Sequence, residues 1–159
     1  MIIVMKKFIA ILIMLMLIFC AVYIGGYRSL NELRGKAQDV FLDDIQSSLD
    51  KVRADSVQLS KITGDPENFR ELIENLVSAE TPAEKHYACF ALINYITSLE
   101  LTATASDAIS FQNRIIESAS LIDAERYNNA VTDFNSAIDS IPTKYIAVLV
   151  GIKKLEKYN

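Results

Sequence analysis

Of 159 residues, the first 26 form one apolar segment, so what remains supports a single folded body with one core rather than two independent domains. Lys6 and Lys7 precede its uncharged run and every acidic residue follows it, leaving 14 basic against 20 acidic side chains in residues 27–159. That balance excludes a general nucleic-acid binder, which needs a basic stripe to displace counterions, and five glycines with three prolines are too few for a turn-rich β fold.

From Phe8 to Gly25 the chain reads FIAILIMLMLIFCAVYIG, 18 residues without a charge. As a helix this stretch is about 27 Å long, close to the ~30 Å hydrocarbon core of a bilayer. Tyr23 and Tyr27 suit the aromatic belt at its edge. The sequence therefore predicts a transmembrane helix over about 8–25, inside an anchor of residues 1–26. A cleaved secretory signal peptide is the alternative, and it would make the rest a secreted bundle. Its apolar region usually runs about 7–15 residues to a small-x-small site, and Ala21-Val22-Tyr23 is no such site. Phe19 before Cys20 likewise does not suit a lipoprotein signal. Arg28, Arg34 and Lys36 after the segment outnumber Lys6 and Lys7 before it, which leans toward a cytoplasmic body.

The body reads as helix throughout. Leu30, Leu33, Ala37, Val40, Phe41, Ile45, Leu49, Val52 and Leu59 recur at three and four, predicting one long amphipathic helix from Tyr27 to about Ile62. Thr63-Gly64-Asp65-Pro66 ends it, with Asp65 a candidate N-cap and Pro66 at the next first helical position. Phe69, Leu72, Ile73, Leu76 and Val77 form the stripe of a second helix. Thr81-Pro82-Ala83-Glu84 then carries a capping box, a hydroxyl and a carboxylate each serving the other's backbone amide. The third body helix places Cys89, Phe90, Ile93, Ile96 and Leu99 on one side, and Thr102 to Ser106 loosens the pattern. A last long helix, capped by Ser106 or Asp107, runs to about Ile141 and stops at Pro142. Short connections between four amphipathic stripes predict an all-α fold, an N-terminal transmembrane helix followed by an antiparallel up-and-down helical bundle of about four helices in residues 27–159.

No constellation in this pattern carries reaction chemistry. His86 is the single histidine, and no nucleophile elbow accompanies it, so it reads as a half-exposed structural side chain. Glu84-Lys85-His86 misses the Glu-x-x-His spacing of bundle metal sites. Asp43-Asp44 and Glu67, Glu71 and Glu74 read as solvated faces. Cys20 and Cys89 make no disulfide framework, and Cys89 reads as a small buried hydrophobe. The sequence predicts no catalytic, cofactor-binding or metal residues and no cofactor.

The most individual stretch is Tyr127 to Pro142. Tyr127 and Phe134 are seven apart, as are Asn128 and Asn135, so each pair shares one helical face. The aromatics join the core stripe. The asparagines border it, where their amides either fix register by bonding a neighbouring helix or form a polar edge for a partner helix.

At this stretch the chain resembles the LemA family, whose members join an N-terminal transmembrane helix to a helical body ending in a Tyr-Asn, apolar, aromatic-Asn, Ile-x-Ser-x-Pro segment. Tyr127, Asn128, Ala130, Val131, Phe134, Asn135, Ile138, Ser140, Pro142 and Ala147 match it, and Gly151-Ile152-Lys153-Lys154 with Tyr158 resembles the family's tail. Strong likeness covers about 30 residues, with Tyr27-Arg28-Ser29-Leu30 adding weaker support. Lys51-Val52-Arg53-Ala54-Asp55 departs from the family's Arg-Arg, Asp-Leu-Ile-Pro segment, and Ala124-Glu125-Arg126 from its paired arginines, so the likeness is to a divergent member. It implies a single-pass bacterial membrane protein without assigned catalytic residues.

These features predict a non-enzymatic protein-interaction or scaffold module whose partners are the lipid bilayer and a protein, with no nucleic acid. The runner-up is a bundle that senses a small molecule between its helices. In the tail, residues 143–159, Lys144, Lys153, Lys154 and Lys157 face one glutamate, and Tyr145 with the uncharged run Ile146 to Ile152 gives it an apolar side. Such a tail either docks on the body or dips into the membrane surface.

Overall fold

Helix begins in the apolar segment and does not stop at Gly25-Gly26. The computed structural model describes residues 2–64, 66–101 and 106–159, and among them it contains no strand. Helix α1 runs Ile2–Val40, a π-helical turn follows at Phe41–Gln46, and α2 continues over Ser47–Ile62. The shorter helices are α3 Glu67–Ser78, α4 Pro82–Ser98, α5 Ser106–Ser120, α6 Ala124–Asp139 and α7 Thr143–Val150. The unbroken run Lys6–Ile62 holds the one described stretch long and apolar enough, by length and composition, to cross a membrane, and none of that stretch is buried in protein.

The helix expected over Tyr27 to Ile62 is therefore the far end of the anchor helix, with one irregularity. Buried positions step from Val40 to Ile45, five residues, where a regular helix allows three or four. The π turn closes i→i+5 and takes up that extra residue, so Val40 and Ile45 stay on one face. Phe41, which makes the spacing look regular, is only half-buried.

The long helix expected from Ser106 to Ile141 is two helices. Asp123 divides them: its Oδ1 accepts the Arg126 N–H at 3.0 Å, the N-cap position of α6. The expected cap Asp65 lies outside the described residues, as do residues 102–105. Pro66 precedes α3 rather than opening it. The Thr81–Glu84 capping box is present in both directions, Glu84 N–H to Thr81 Oγ1 at 3.2 Å and Thr81 N–H to Glu84 Oε2 at 3.0 Å. These bonds, with one from the Glu80 N–H, hold the Glu84 carboxyl below the usual carboxylate range.

By contacts the chain divides into two compact units, Met1–Lys36 with Thr132–Leu155 and Ala37–Val131 with Glu156–Asn159. The first is built on Leu30, Phe134, Ile138, Ile146 and Ala147, with Tyr23, Leu33, Ile152 and Leu155 packed around them. Gly151 ends α7 in the left-handed region, at φ 70°, and the Ile152 N–H reaches back to the Ala147 carbonyl at 2.9 Å. This Schellman-type stop turns Ile152 onto the cluster. Ile141, expected on the core stripe, is instead exposed.

In the second unit α2 packs most extensively on α5, and also on α3, while α4 touches α3 and α5. Ser48, Ser56, Ser60 and Ser118 are buried there among Leu49, Val52, Leu59 and Ile115. Arg114 on α5 grips Asp55 on α2 with two bonds, Nη2 to Oδ1 at 2.8 Å and Nε to Oδ2 at 3.2 Å. On α4 the core face is Cys89, Leu92 and Ile96. Phe90, expected there, is exposed, because the buried set follows the i, i+3, i+7 line through Leu92.

Candidate functional site

The motif residues on α6 meet the end of the chain. In the first unit the Asn135 side chain pairs with the backbone of Leu155: its Nδ2 donates to the Leu155 carbonyl at 2.9 Å, and its Oδ1 accepts the Leu155 N–H at 2.9 Å. A carboxamide presents one donor and one acceptor side by side, as a strand neighbour would. In the second unit Asn128 does the same for Tyr158, donating to its carbonyl at 3.1 Å and accepting its N–H at 2.8 Å. Between them in sequence, the Tyr127 hydroxyl donates to the Glu156 carbonyl at 2.9 Å.

The sequence points these amides at a neighbouring helix or at a partner's; they bond instead the backbone of an irregular segment, whose N–H and C=O groups lack a ladder of their own.

Tyr158 lines a groove in the second unit. Its ring stands edge-on to His86, centroids 5.0 Å apart, and it shares a hydrogen bond with Cys89. Around it His86, Cys89, Phe90, Ile93, Ala119 and Ile122 line a shallow space of about 250 Å³. Burial pushes the Cys89 thiol up to about 11, against a smaller lowering by the Tyr158 bond. Burial, and next the Cys89 thiol, drive the Tyr158 hydroxyl up as well. Burial, and next the Glu156 carboxylate, raise Tyr127. A thiol held protonated at neutral pH is a poor nucleophile.

The π turn lies beside the same α6 residues. Phe41 packs on Tyr127 with ring centroids 5.2 Å apart, and Lys85 Nζ sits 5.3 Å from the Phe41 centroid. Asp44 pairs with Arg126 at 2.9 Å, and Lys85 donates to Gln46 Oε1 at 2.7 Å. Irregular helical turns recur where a helix must aim particular side chains, and this one aims Phe41 and Asp44 at the residues next to Asn128.

Of the remaining motif residues, Phe134 is core. Ser140 Oγ donates to the Ser136 carbonyl, and the Ser140 carbonyl receives the Lys144 N–H at 2.7 Å and the Thr143 hydroxyl at 2.8 Å. Pro142 immediately precedes α7. In the tail Lys154 pairs with Asp139 at 2.7 Å, while Lys144, Tyr145, Lys153 and Lys157 are exposed. Cys89 and the Glu156 backbone in the second unit, and the Leu155 backbone in the first, take part in these contacts although no sequence motif marks them. Among the described residues no group of three or more His, Cys, Asp or Glu side chains converges as metal ligands would. No protein-family model matches the chain, and neither a curated protein nor a solved structure gives a significant match.

Proposed function

We propose that this chain is a single-pass, membrane-anchored helical protein of the LemA type, whose body helices form an antiparallel up-and-down bundle serving as a non-enzymatic interaction module at the bacterial membrane. One observation carries the reading: no residue of the apolar stretch within Lys6–Ile62 is buried by the rest of the protein. A core helix of a soluble protein buries its apolar side chains, and an unburied helix apolar on all sides belongs in lipid. Continuity of helix from that stretch through Ile62 supports an uncleaved anchor, since cleavage near residue 25 would cut inside α1.

Tyr87 and Phe90, one turn apart and exposed on α4, support a protein partner, because bulky aromatics supply contact area at low entropic cost. Alkaline carbonate extraction of membranes from cells expressing the full chain tests the anchor: the protein should remain in the pellet, and Ile13→Lys with Leu17→Lys should release it. Wild-type protein in the supernatant would end the membrane reading. A photo-crosslinking residue at Tyr87 should give a discrete adduct in cells where one at Glu74 gives none; equal, diffuse labelling at both sites counts against the interaction role.

A further inference from the structure

Helix α7 is apolar on both flanks. Ile146 and Ala147 are buried against Leu30, Phe134 and Ile138. The opposite flank carries Tyr145, Val148 and Leu149, exposed at 64%, 77% and 71%, with exposed Ile141 in the turn before it. The three on α7 fall at i, i+3 and i+4, one continuous stripe. Eight residues make about 12 Å of helix, far short of a span.

What lies beside α7 identifies its surroundings. Phe19, Val22 and Tyr23 of α1, with Tyr145, Ile146 and Leu149 of α7, wall a cavity of about 160 Å³. A Cβ placed on Gly26 would come 2.4 Å from Ile146 Cδ1, so the end of the Ile146 side chain packs directly on this glycine. Phe19 and Val22 belong to the 18-residue uncharged run, and both are exposed. The apolar surface of the anchor thus passes without interruption onto the outer stripe of α7. Tyr23 lies five residues before Arg28, about 7–8 Å along the helix, which is within the ~5–10 Å depth at which interfacial helices ride below the headgroups. Lys144 at the start of α7 and Lys153 beyond its Gly151 stop place charge at both ends of the stripe, where long basic side chains reach headgroups.

We propose that α7 is an interfacial membrane helix, seated beside the anchor with Tyr145, Val148 and Leu149 in the acyl-chain boundary of the bilayer that α1 spans. The occupant of this face is lipid, and the inference rests on the membrane-spanning reading of α1. It differs from a docked tail in that only the inner flank of α7 is satisfied by protein.

The chain contains no tryptophan, so one introduced indole reports alone. Val148→Trp, Leu15→Trp in the middle of the apolar run and Asp133→Trp on the exposed, polar side of α6 are each made in the full chain. They are reconstituted in phosphatidylcholine vesicles brominated either near the headgroup end or near the methyl end of the acyl chain. The indole at position 148 should lose most of its emission to headgroup-end bromines and less to methyl-end bromines. The one at position 15 should show the reverse order, and the one at position 133 should be unaffected. Tyr145→Trp, on the same stripe, replaces Val148→Trp if that variant does not reconstitute, and should quench in the same order. Quenching at position 15 with none at position 148 or 145 overturns the interfacial helix and leaves the anchor standing. No quenching at position 15 overturns the anchor, and this proposal with it.

Discussion

Asn135 shows how one side chain fixes an irregular segment. Its amide supplies both a donor and an acceptor to Leu155, so Asn135→Ala leaves a half-buried N–H and C=O unpaired. The expected cost is about 1–3 kcal/mol, read by chemical denaturation in detergent micelles and by faster hydrogen exchange at the Leu155 amide. Asn135→Asp keeps the acceptor and sets a carboxylate against the Leu155 carbonyl, which disfavours ionisation and raises its folded pKa above the unfolded value of about 3.9. Stability of that variant should therefore be largest below pH 4 and fall as pH rises through the folded pKa; a pH-independent difference from wild type would refute the pairing. Ser56 makes the opposite case. Its hydroxyl is fully buried and finds no hydrogen-bond partner among the described residues, so Ser56→Ala should stabilise the protein by about 1 kcal/mol in a melting experiment. A loss of stability would mean that the hydroxyl is bonded after all.

At the scale of elements, the π turn is the feature with the most distinctive test. It is a helix carrying one residue more than the α repeat needs, so deleting exposed Leu42 shortens the Val40 to Ile45 step to four and keeps both on the core face. Deleting Asp50 in regular α2 turns every later side chain by about 100°. The first deletion should lower the melting temperature only modestly, and the second should abolish cooperative melting; equal damage from both would show that Phe41–Gln46 does not absorb a spare residue. The helices are legible in the sequence because their stripes and the Thr81–Glu84 box are local signals. The π turn is hidden because Phe41 stands four before Ile45 and imitates the repeat. The break at Asp123 is hidden because apolar residues continue on both sides of it, although Asp123 three before Arg126 is a cap in position. The asparagine contacts are half legible: the seven-residue spacing of Asn128 and Asn135 puts them on one face, but their partners are backbone groups of a lysine-rich tail, and backbone groups carry no sequence signature.

For the whole molecule, no composition change marks where either contact unit begins, since each is assembled from stretches far apart in the chain. What ties the last residues to the second unit is Tyr158, which packs beside Cys89, and this makes one thiol a reporter of whether Tyr158 is seated. With its pKa pushed to about 11, Cys89 is ionised in only about one molecule in 10⁴ at pH 7, so a maleimide should label it slowly. Tyr158→Ala opens the groove and removes the bulk above the sulfur, and labelling of Cys89 should rise several-fold in a Cys20→Ala background. The same burial sets a pH limit. The folded thiol binds its proton more tightly than the unfolded one, so its share of stability is complete below the unfolded pKa of about 8.5 and drains away as pH climbs toward 11. At the top of that window the thiol alone accounts for a loss of about 2–3 kcal/mol, at about 1.4 kcal/mol per pKa unit, and the raised Tyr158 hydroxyl adds to it in the same direction. Denaturation midpoints measured from pH 7 to pH 11 should fall along this curve for wild type and less steeply for Cys89→Ala. Equal slopes for the two proteins would mean that the thiol is not held under Tyr158.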